Sequence, residues 1–167
     1  MIRVTKLRQK TWRTYRDFRL EALRTEPSAF GSSPEEESKQ SEIVWRTRTK
    51  NTIFAMSEGK PVGMLSYVFS DRIKTKHIVN IYGVYVTPTM RGRGIGWMLI
   101  QSALSEIRKN REIIKVQLSV NADLGPAIGL YKKARFQKVG RSRKELKVGA
   151  RYYDMLLMER EIRKAST

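Results

Sequence analysis

The hydrophobic residues of this chain change their spacing near residue 52. Before that point, apolar side chains recur at three- and four-residue intervals from Trp12 onward until Pro27 closes the segment, which predicts a helix. The Ser-Pro-Glu-Glu segment at 33–36 has the spacing of a capping box with proline at the first helical position. It predicts a second helix that carries Trp45.

From residue 52 onward the period is that of β-strands. Segments 52–57 and 62–69 flank a turn at 58–61, and 77–86 supplies a third long strand. These three strands are expected to pair antiparallel with their neighbours. Residues 1–6 are expected to add an edge strand.

The second half of the chain alternates helices and strands. Ile100, Leu104 and Ile107 mark the buried stripe of one helix, and the strand after it is expected to lie parallel to the strand before it. The later segments predict a strand over 113–120, a short helix over 126–134, a strand over 136–140 and a last strand over 152–160. The predicted fold class is α/β, with a central mixed sheet flanked by helices in a single domain over 1–167.

Composition limits the class of protein further. A chain of 167 residues can bury a core, and the absence of Cys excludes disulfides, thiolate metal sites and a cysteine nucleophile. The first residues lack the apolar run of a signal peptide, and no apolar segment reaches the roughly 18 residues that cross a bilayer. We therefore expect a cytoplasmic protein without a metal and without a membrane partner.

The net charge raises a rival hypothesis. Lys and Arg total 34 against 16 Asp and Glu, giving +18, and such a field attracts polyanions, including nucleic acids. The basic residues are spread along the chain, however, and the sequence contains neither an aromatic RNA-binding strand motif nor zinc-finger spacing. A solvated basic surface is favoured, and a nucleic-acid- or ribosome-associated protein is the alternative.

A glycine-rich segment follows the strand that ends at Val86. It comprises Arg91, Gly92, Arg93, Gly94, Ile95 and Gly96. Glycine lets the backbone approach a ligand closely, and the unpaired amides of a helix's first turn favour phosphate oxygens. Trp97 and Met98 stand where a P-loop needs Lys and Ser or Thr, and the glycine spacing differs from the dinucleotide pattern G-x-G-x-x-G. The segment predicts an anion cradle of another kind.

The R-x-x-G-x-G pattern of Arg91, Gly94 and Gly96, behind a strand ending in V-x-P, resembles the acetyl-CoA loop of the GCN5-related N-acetyltransferase (GNAT) family. Segments 120–121 and 127–136 are similar to the family's V-N…A-x-x-L-Y-x-x-x-G-F, although Arg135 replaces the usual glycine and Leu124 replaces a frequent asparagine. The element order also matches, so the resemblance covers nearly the whole chain. It implies a three-layer fold whose fourth and fifth strands splay apart.

The resemblance implies that acetyl-CoA is the cosubstrate. The strand backbone near Val84 and Val86 would bind pantetheine, and the amides of 91–96 would hold the pyrophosphate, with arginine side chains adding charge. Asn121 would either bond the pantetheine arm or end its strand. Tyr131 would be the general acid that protonates the departing thiolate, and its alternative is a helix-surface or core tyrosine.

The implied reaction is direct acetyl transfer to a primary amine of a small molecule, amino acid or peptide, with a backbone amide near Val86 stabilising the oxyanion. The general base is not identified. Its candidates are Tyr82, a water held by Asn80, or a carboxylate from 35–37, whereas His77 is better explained as an exposed strand end.

The acceptor pocket is expected to include Phe30, Tyr82 and Tyr153, and the +18 field slightly favours an acceptor that carries a carboxylate. A CoA-binding sensor without turnover is a further alternative to the enzyme. Members of the family often form dimers through their terminal strands. Segment 152–158 would serve that role unless it is internal to the sheet.

Overall fold

A computed structural model describes residues 1–163. Seven strands form one sheet in the order β1-β2-β3-β4-β5-β7-β6. The strands are β1 (Ile2–Lys6), β2 (Thr52–Ser57), β3 (Lys60–Phe69), β4 (Ile78–Val86), β5 (Lys115–Asn121), β6 (Gln137–Val148) and β7 (Arg151–Glu161). The helices are α1 (Trp12–Thr25), α2 (Pro34–Glu37), α3 (Glu42–Lys50), α4 (Ile95–Arg108) and α5 (Gly125–Lys133). None of the helices in residues 1–163 is long and apolar enough to cross a membrane.

Alternation along the strands sorts the apolar residues onto two faces of the sheet. Ile53 packs with α4 and α5 on one face, whereas its neighbour Phe54 packs with α1 and α3 on the other. On the second face, the Tyr15 ring stands edge-on to Trp45 at 5.6 Å and to Phe54 at 5.7 Å between centroids. Helices therefore cover both faces of a mixed sheet, which confirms the predicted α/β class.

The predicted second helix is wrong in its extent, because two helices occupy that region. The capping box forms as predicted: the Glu36 amide donates to Ser33 Oγ at 3.2 Å, and the Ser33 amide donates to the Glu36 carboxylate at 3.1 Å. However, α2 ends after one turn, and Glu37 turns inward to pair with Arg19 of α1. Trp45 lies on the separate helix α3. The contact between Arg19 and Glu37 joins residues 18 positions apart, so the hydrophobic periodicity of the segment could not predict it.

Strands β4 and β5 splay apart as predicted. They pair in parallel only over Ile78, Val79 and Asn80, although both strands continue well beyond that point. A register shift between β3 and β4 accompanies Gly83, whose φ of +64° is a conformation that L side chains rarely adopt. The bulge bends β4 away from β5 and opens the sheet at the carboxyl ends of the two strands.

The C-terminal hairpin is longer than predicted. β6 runs to Val148 instead of ending near residue 140, because its pairing with β7 resumes at Leu146 after a register shift that begins at Ser142. Lys144 lies within this irregular stretch at φ +52°. β7 is hydrogen-bonded to β5 on one side and to β6 on the other, so 152–158 is internal to the sheet. Both edges of this segment are therefore paired within the chain, and neither is free to pair with a second copy.

Candidate functional site

A cavity of about 440 Å³ lies where β4 and β5 diverge, between the end of β4 and the first turns of α4 and α5. The predicted cofactor residues that line it are Val84, Val86, Arg91, Gly92, Gly94, Ile95 and Gly96, together with the predicted acid Tyr131. Arg93 and Asn121 do not line it. We call this space the first cavity.

The backbone at the end of β4 faces the first cavity. The Thr87 amide donates to Val62 O at 3.0 Å, on the β3 side of the strand. Because successive peptide groups of a strand point to opposite edges, the amide of Val86 points to the open side that β5 has left. The Val86 carbonyl accepts a hydrogen bond from Arg91 Nε at 3.1 Å. The Val86 amide is thus the polar group of this residue that a ligand can reach.

The glycines of the loop serve two purposes. Gly92 and Gly94 have φ values of +76° and +75° with open space beside them, so they shape the turn that leads into α4. Gly96 has an ordinary φ, but a Cβ there would lie 2.8 Å from Leu130 Cδ2, so glycine lets α4 and α5 meet.

Several amides of the predicted anion cradle have no backbone acceptor within residues 1–163. The Met98 amide donates to Gly94 O, which leaves the first-turn amides from Ile95 to Trp97 without intrahelical acceptors. The Arg91 amide, which was included in the predicted cradle, instead donates to Pro88 O at 3.3 Å. The cradle therefore starts after Arg91. Its donors fit a phosphate group.

The cationic side chain that lines the first cavity from α5 was not predicted. Arg91 already pairs with Glu26 at 2.7 Å, so part of its charge is neutralised within the protein. Lys133 reaches the cavity wall from the last turn of α5, and its ammonium lies 4.8 Å from the ring centroid of Trp97. In the sequence, the pair Lys132-Lys133 directly after Tyr131 was the signal from which a cationic group at this site could have been predicted.

Tyr131 lies between the first cavity and the hydrophobic core. Its side chain is 6% exposed, and its ring stands edge-on to Phe136 at 6.1 Å between centroids. Burial raises the pKa of the Tyr131 hydroxyl well above its ordinary value of 10.0, and no neighbouring charge opposes that shift. The hydroxyl therefore stays protonated across the physiological range, as a proton donor must.

Asn121 has a positioning role within the protein. Its Nδ2 donates to Ser28 O at 2.9 Å, and its Oδ1 accepts from the Asp123 amide at 2.9 Å. The side chain is 1% exposed. Asn121 thus ties the loop after α1 to β5 at the end of its strand, and its contact with the pantetheine arm stays a prediction.

A second cavity of about 620 Å³ lies on the other side of the splay and shares Ala29 and Phe30 with the first. Tyr82 and Phe30 both line it, and their contact with an acceptor stays a prediction. Tyr153 lines neither cavity, since Met155 and Leu157 are the β7 residues that reach the second one. Two cavities that share a wall at a split sheet could bring a donor and an acceptor together.

Two of the candidate bases are poorly suited to the role. Burial raises the pKa of Tyr82 to about 12, with the charges of Arg48 and Arg19 offsetting it only in part, so its phenolate is scarce near neutral pH. Burial also acts to raise the pKa of Glu37, but hydrogen bonds and charge from Arg19, with the charge of Arg48, outweigh it and hold the pKa below 4.5.

One carboxylate that sequence reasoning missed lies at the second cavity. Glu145 belongs to the irregular stretch of β6 and lines the cavity, and its carboxylate accepts a hydrogen bond from Ser142 Oγ. It is the one Asp or Glu among the described residues that line this cavity. Tyr153 was the residue of this hairpin expected at the acceptor pocket, and Glu145 lies instead within the stretch where β6 shifts register.

Glu37→Ala is expected to lower the free energy of unfolding by about 3–5 kcal/mol, because it leaves the buried Arg19 without its partner. The pKa of Glu37 is lowered by folding, so its contribution is present above pH 4.5 and is lost as pH falls through the folded-state value. Urea unfolding of both proteins at pH 7 and at lower pH measures this difference.

The matched control is Glu42→Ala, which removes an exposed ion pair with Arg46 on α3 and is expected to cost about 0.3–0.5 kcal/mol. Equal losses in the two variants would contradict the importance of the buried pair.

Comparison with known proteins identifies the class. The family model described as the acetyltransferase (GNAT) family matches residues 7–136. An uncharacterised N-acetyltransferase of Methanocaldococcus jannaschii is 34% identical over 82 residues, which are 48% of this chain and only 36% of that protein. An L-amino acid N-acetyltransferase of Escherichia coli is 25% identical over 125 residues, covering 72% of this chain and 76% of the relative.

A solved structure shares the whole fold. A putative acetyltransferase of Salmonella typhimurium, determined with its cofactor acetyl-CoA, superposes with a TM-score of 0.81 at 14% identity, covering 100% of this chain and 97% of that one. Because the family model matches more than half of the chain, the chain belongs to the GNAT family, whose members use acetyl-CoA. The free amides of the loop and the open edge of β4 fit that cosubstrate. No group of three or more His, Asp or Glu within residues 1–163 is arranged to hold a metal ion.

Proposed function

We propose that the protein transfers an acetyl group from acetyl-CoA directly to a primary amine of a small molecule, amino acid or peptide, within a ternary complex. The observation that carries the proposal is the pair of cavities that meet at Phe30 across the splay of β4 and β5. One cavity is bordered by an anion cradle, and the other by polar and apolar side chains. We also propose that 1–167 acts as one domain, since a single sheet extends from Ile2 to Glu161.

Residues of the first cavity would hold acetyl-CoA, which supplies an acyl group activated as a thioester. The amides after Arg91 and the ammonium of Lys133 would neutralise the phosphates. The free amide of Val86 would donate to the carbonyl oxygen where negative charge develops. As the C–N bond forms and the C–S bond breaks, Tyr131 would donate its proton to the departing sulfur, and the proton lost by the nitrogen would return to Tyr131 through solvent.

The amine must be neutral before it attacks. Because Tyr82 is protonated and Glu37 is held in a buried ion pair, we assign deprotonation to solvent within the second cavity. Glu145 would attract the ammonium form of the acceptor to this cavity. Asn80 and Gln117 are joined by a hydrogen bond of 2.8 Å and line the second cavity, where they would hydrogen-bond the water that accepts the proton.

The pH dependence of kcat/KM is expected to follow the amine itself. For a peptide α-amine, kcat/KM should rise through about pH 7.7–8.0 and then level off. Tyr82→Phe should leave the shape of this profile unchanged, because a hydroxyl with a pKa of about 12 does not titrate in that range. A profile whose rising limb disappears in Tyr82→Phe would restore Tyr82 as the base.

A panel of amines tests the proposed activity. Purified protein is mixed with acetyl-CoA and with amino acids, peptides, polyamines or aminoglycosides, and the free thiol and the acetylated product are both measured. The name of the Escherichia coli relative assigns it L-amino acids, so these head the panel. Binding of acetyl-CoA with no product from any amine would favour a sensor. Salt-sensitive RNA binding without acetyl-CoA binding would favour the nucleic-acid alternative.

A further inference from the structure

Arg19 of α1 has a donor group without a partner. Its Nε donates to Glu37 Oε2 at 3.0 Å, and its Nη2 donates to Glu37 Oε1 at 2.8 Å, so one edge of the guanidinium is fully used. Nη1 has no hydrogen-bond partner within the described residues 1–163. The side chain is 5% exposed. Buried donors are normally satisfied, and one that is not calls for an explanation.

The cluster around Arg19 also carries an excess positive charge. Glu37 is shared by two arginines, since Arg48 Nη1 lies 3.2 Å from its second oxygen. Two guanidinium groups and one carboxylate leave one positive charge within the cluster. Arg48 keeps 29% of its side chain exposed, so solvent screens part of this charge, and an anion that binds beside Arg19 is attracted by the remainder.

The guanidinium of Arg19 is held at the wall of the second cavity. Arg19 lines that cavity, and its guanidinium carbon lies 4.8 Å from the ring centroid of Phe30, which lines both cavities. On the other side is Gly83, where a Cβ would come within 3.2 Å of Nη1. Because Gly83 has no side chain, Nη1 can lie close to the backbone of β4. Residues of this strand line both cavities.

We propose that Arg19 binds the carboxylate of the acceptor through Nη1, and that the acceptor is therefore an amino acid or another primary amine carrying a carboxylate. This inference rests on the proposed acetyltransferase function. Glu37 acts as a positioning residue that fixes the plane of the guanidinium.

The rest of the second cavity suits the same ligand class. Glu145, which lines the same cavity, supplies the opposite charge for the ammonium group. Apolar residues complete the wall, among them Leu118, Leu146, Met155 and Leu157. We therefore expect amino acids with apolar side chains to be the better acceptors.

The test compares each amino acid with its own α-amide, which keeps the amine and the side chain but lacks the negative charge. L-methionine and L-leucine are assayed against L-methioninamide and L-leucinamide at matched concentrations of the neutral amine. In the wild type, kcat/KM for the acid is expected to exceed that for the amide by about 10- to 100-fold, the range of a charge-assisted hydrogen bond. Arg19→Gln is expected to reduce this ratio to near 1.

Two further variants keep the test decisive. Arg19→Lys keeps a cation beside Glu37 but lacks the planar fork that directs Nη1, so its ratio should fall between those of the wild type and Arg19→Gln. Glu145→Gln should raise KM for acid and amide alike and leave the ratio unchanged, because both acceptors carry the ammonium group. The ratio is measured on one preparation, so any inactive fraction cancels.

The outcomes separate this inference from the proposed function. If the wild type acetylates amides as well as acids, or if Arg19→Gln and Arg19→Lys keep the wild-type ratio, the assignment of Arg19 is wrong while the acetyltransferase function stands. If the wild type acetylates no amine although it binds acetyl-CoA, the proposed function itself fails.

Discussion

Tyr131→Phe is expected to lower kcat by about 10²- to 10⁴-fold, the usual contribution of a positioned general acid. Tyr131 lines the first cavity, and the substitution removes only its hydroxyl oxygen, so the proton donor is lost while the wall of the cavity is kept. The ring, its edge-on contact with Phe136 and the cavity shape all remain in the variant. Affinity for acetyl-CoA should therefore change little, and the loss should appear in kcat. Steady-state kinetics and calorimetric titration measure the two quantities separately.

The pH profile adds an independent check on Tyr131. Because burial raises the pKa of its hydroxyl above 10.0, the protonated form persists on raising the pH, and the wild type should show no falling limb below about pH 10. Tyr152→Phe is the matched control, since Tyr152 is 52% exposed on β7 and lines neither cavity. Transfer that survives undiminished in Tyr131→Phe across this pH range would show that another group protonates the thiolate.

Gly94→Glu is expected to weaken acetyl-CoA binding by about 100-fold or more, equivalent to about 2.8 kcal/mol. Gly94 precedes the first turn of α4 with φ of +75°, a conformation that costs an L residue about 1–2 kcal/mol. The glutamate also brings a negative charge to the site where the cradle would receive phosphate oxygens. Strain and repulsion thus act together on the same loop. Calorimetric titration with acetyl-CoA measures the loss.

Gly59→Glu separates the local effect from general strain and charge. Gly59 lies in the turn between β2 and β3 with φ of +77° and open space beside it, and it lines neither cavity. This variant should bind acetyl-CoA as the wild type does. ATP serves as a polyanion control for the +18 surface. Equal binding of ATP, or equal affinity in Gly94→Glu and wild type, would mean that phosphates bind the surface without a specific site.

Much of the site could be predicted because its signals are local. The glycine loop follows its strand directly, and positive φ values at Gly92 and Gly94 arise within a few residues of sequence. The stripe of Ile100, Leu104 and Ile107 also needs only one helix to be recognised, and all three residues are fully buried. Periodicity and glycine spacing report such features because neighbours along the chain decide them.

Other features could not be predicted because they depend on contacts between distant parts of the chain. Asn121 is a plausible cofactor ligand in sequence, but Ser28, 93 positions away, takes its amide. Lys133 and Glu145 face cavities only because α5 packs on Gly96 and because β6 changes register. The spacing of residues along the chain does not predict these contacts.

The sequence by itself therefore determined the order of most elements, the mixed sheet and the position of the glycine-rich loop, because periodicity and glycine content act over a few residues. Only the tertiary structure decided that α2 ends at Glu37, that β7 is internal to the sheet, and that Arg19 keeps an unused donor beside the second cavity within the described residues. The physical reason is that all three features depend on contacts between residues that are far apart in the sequence. The folded sheet determines which of these residues come close together.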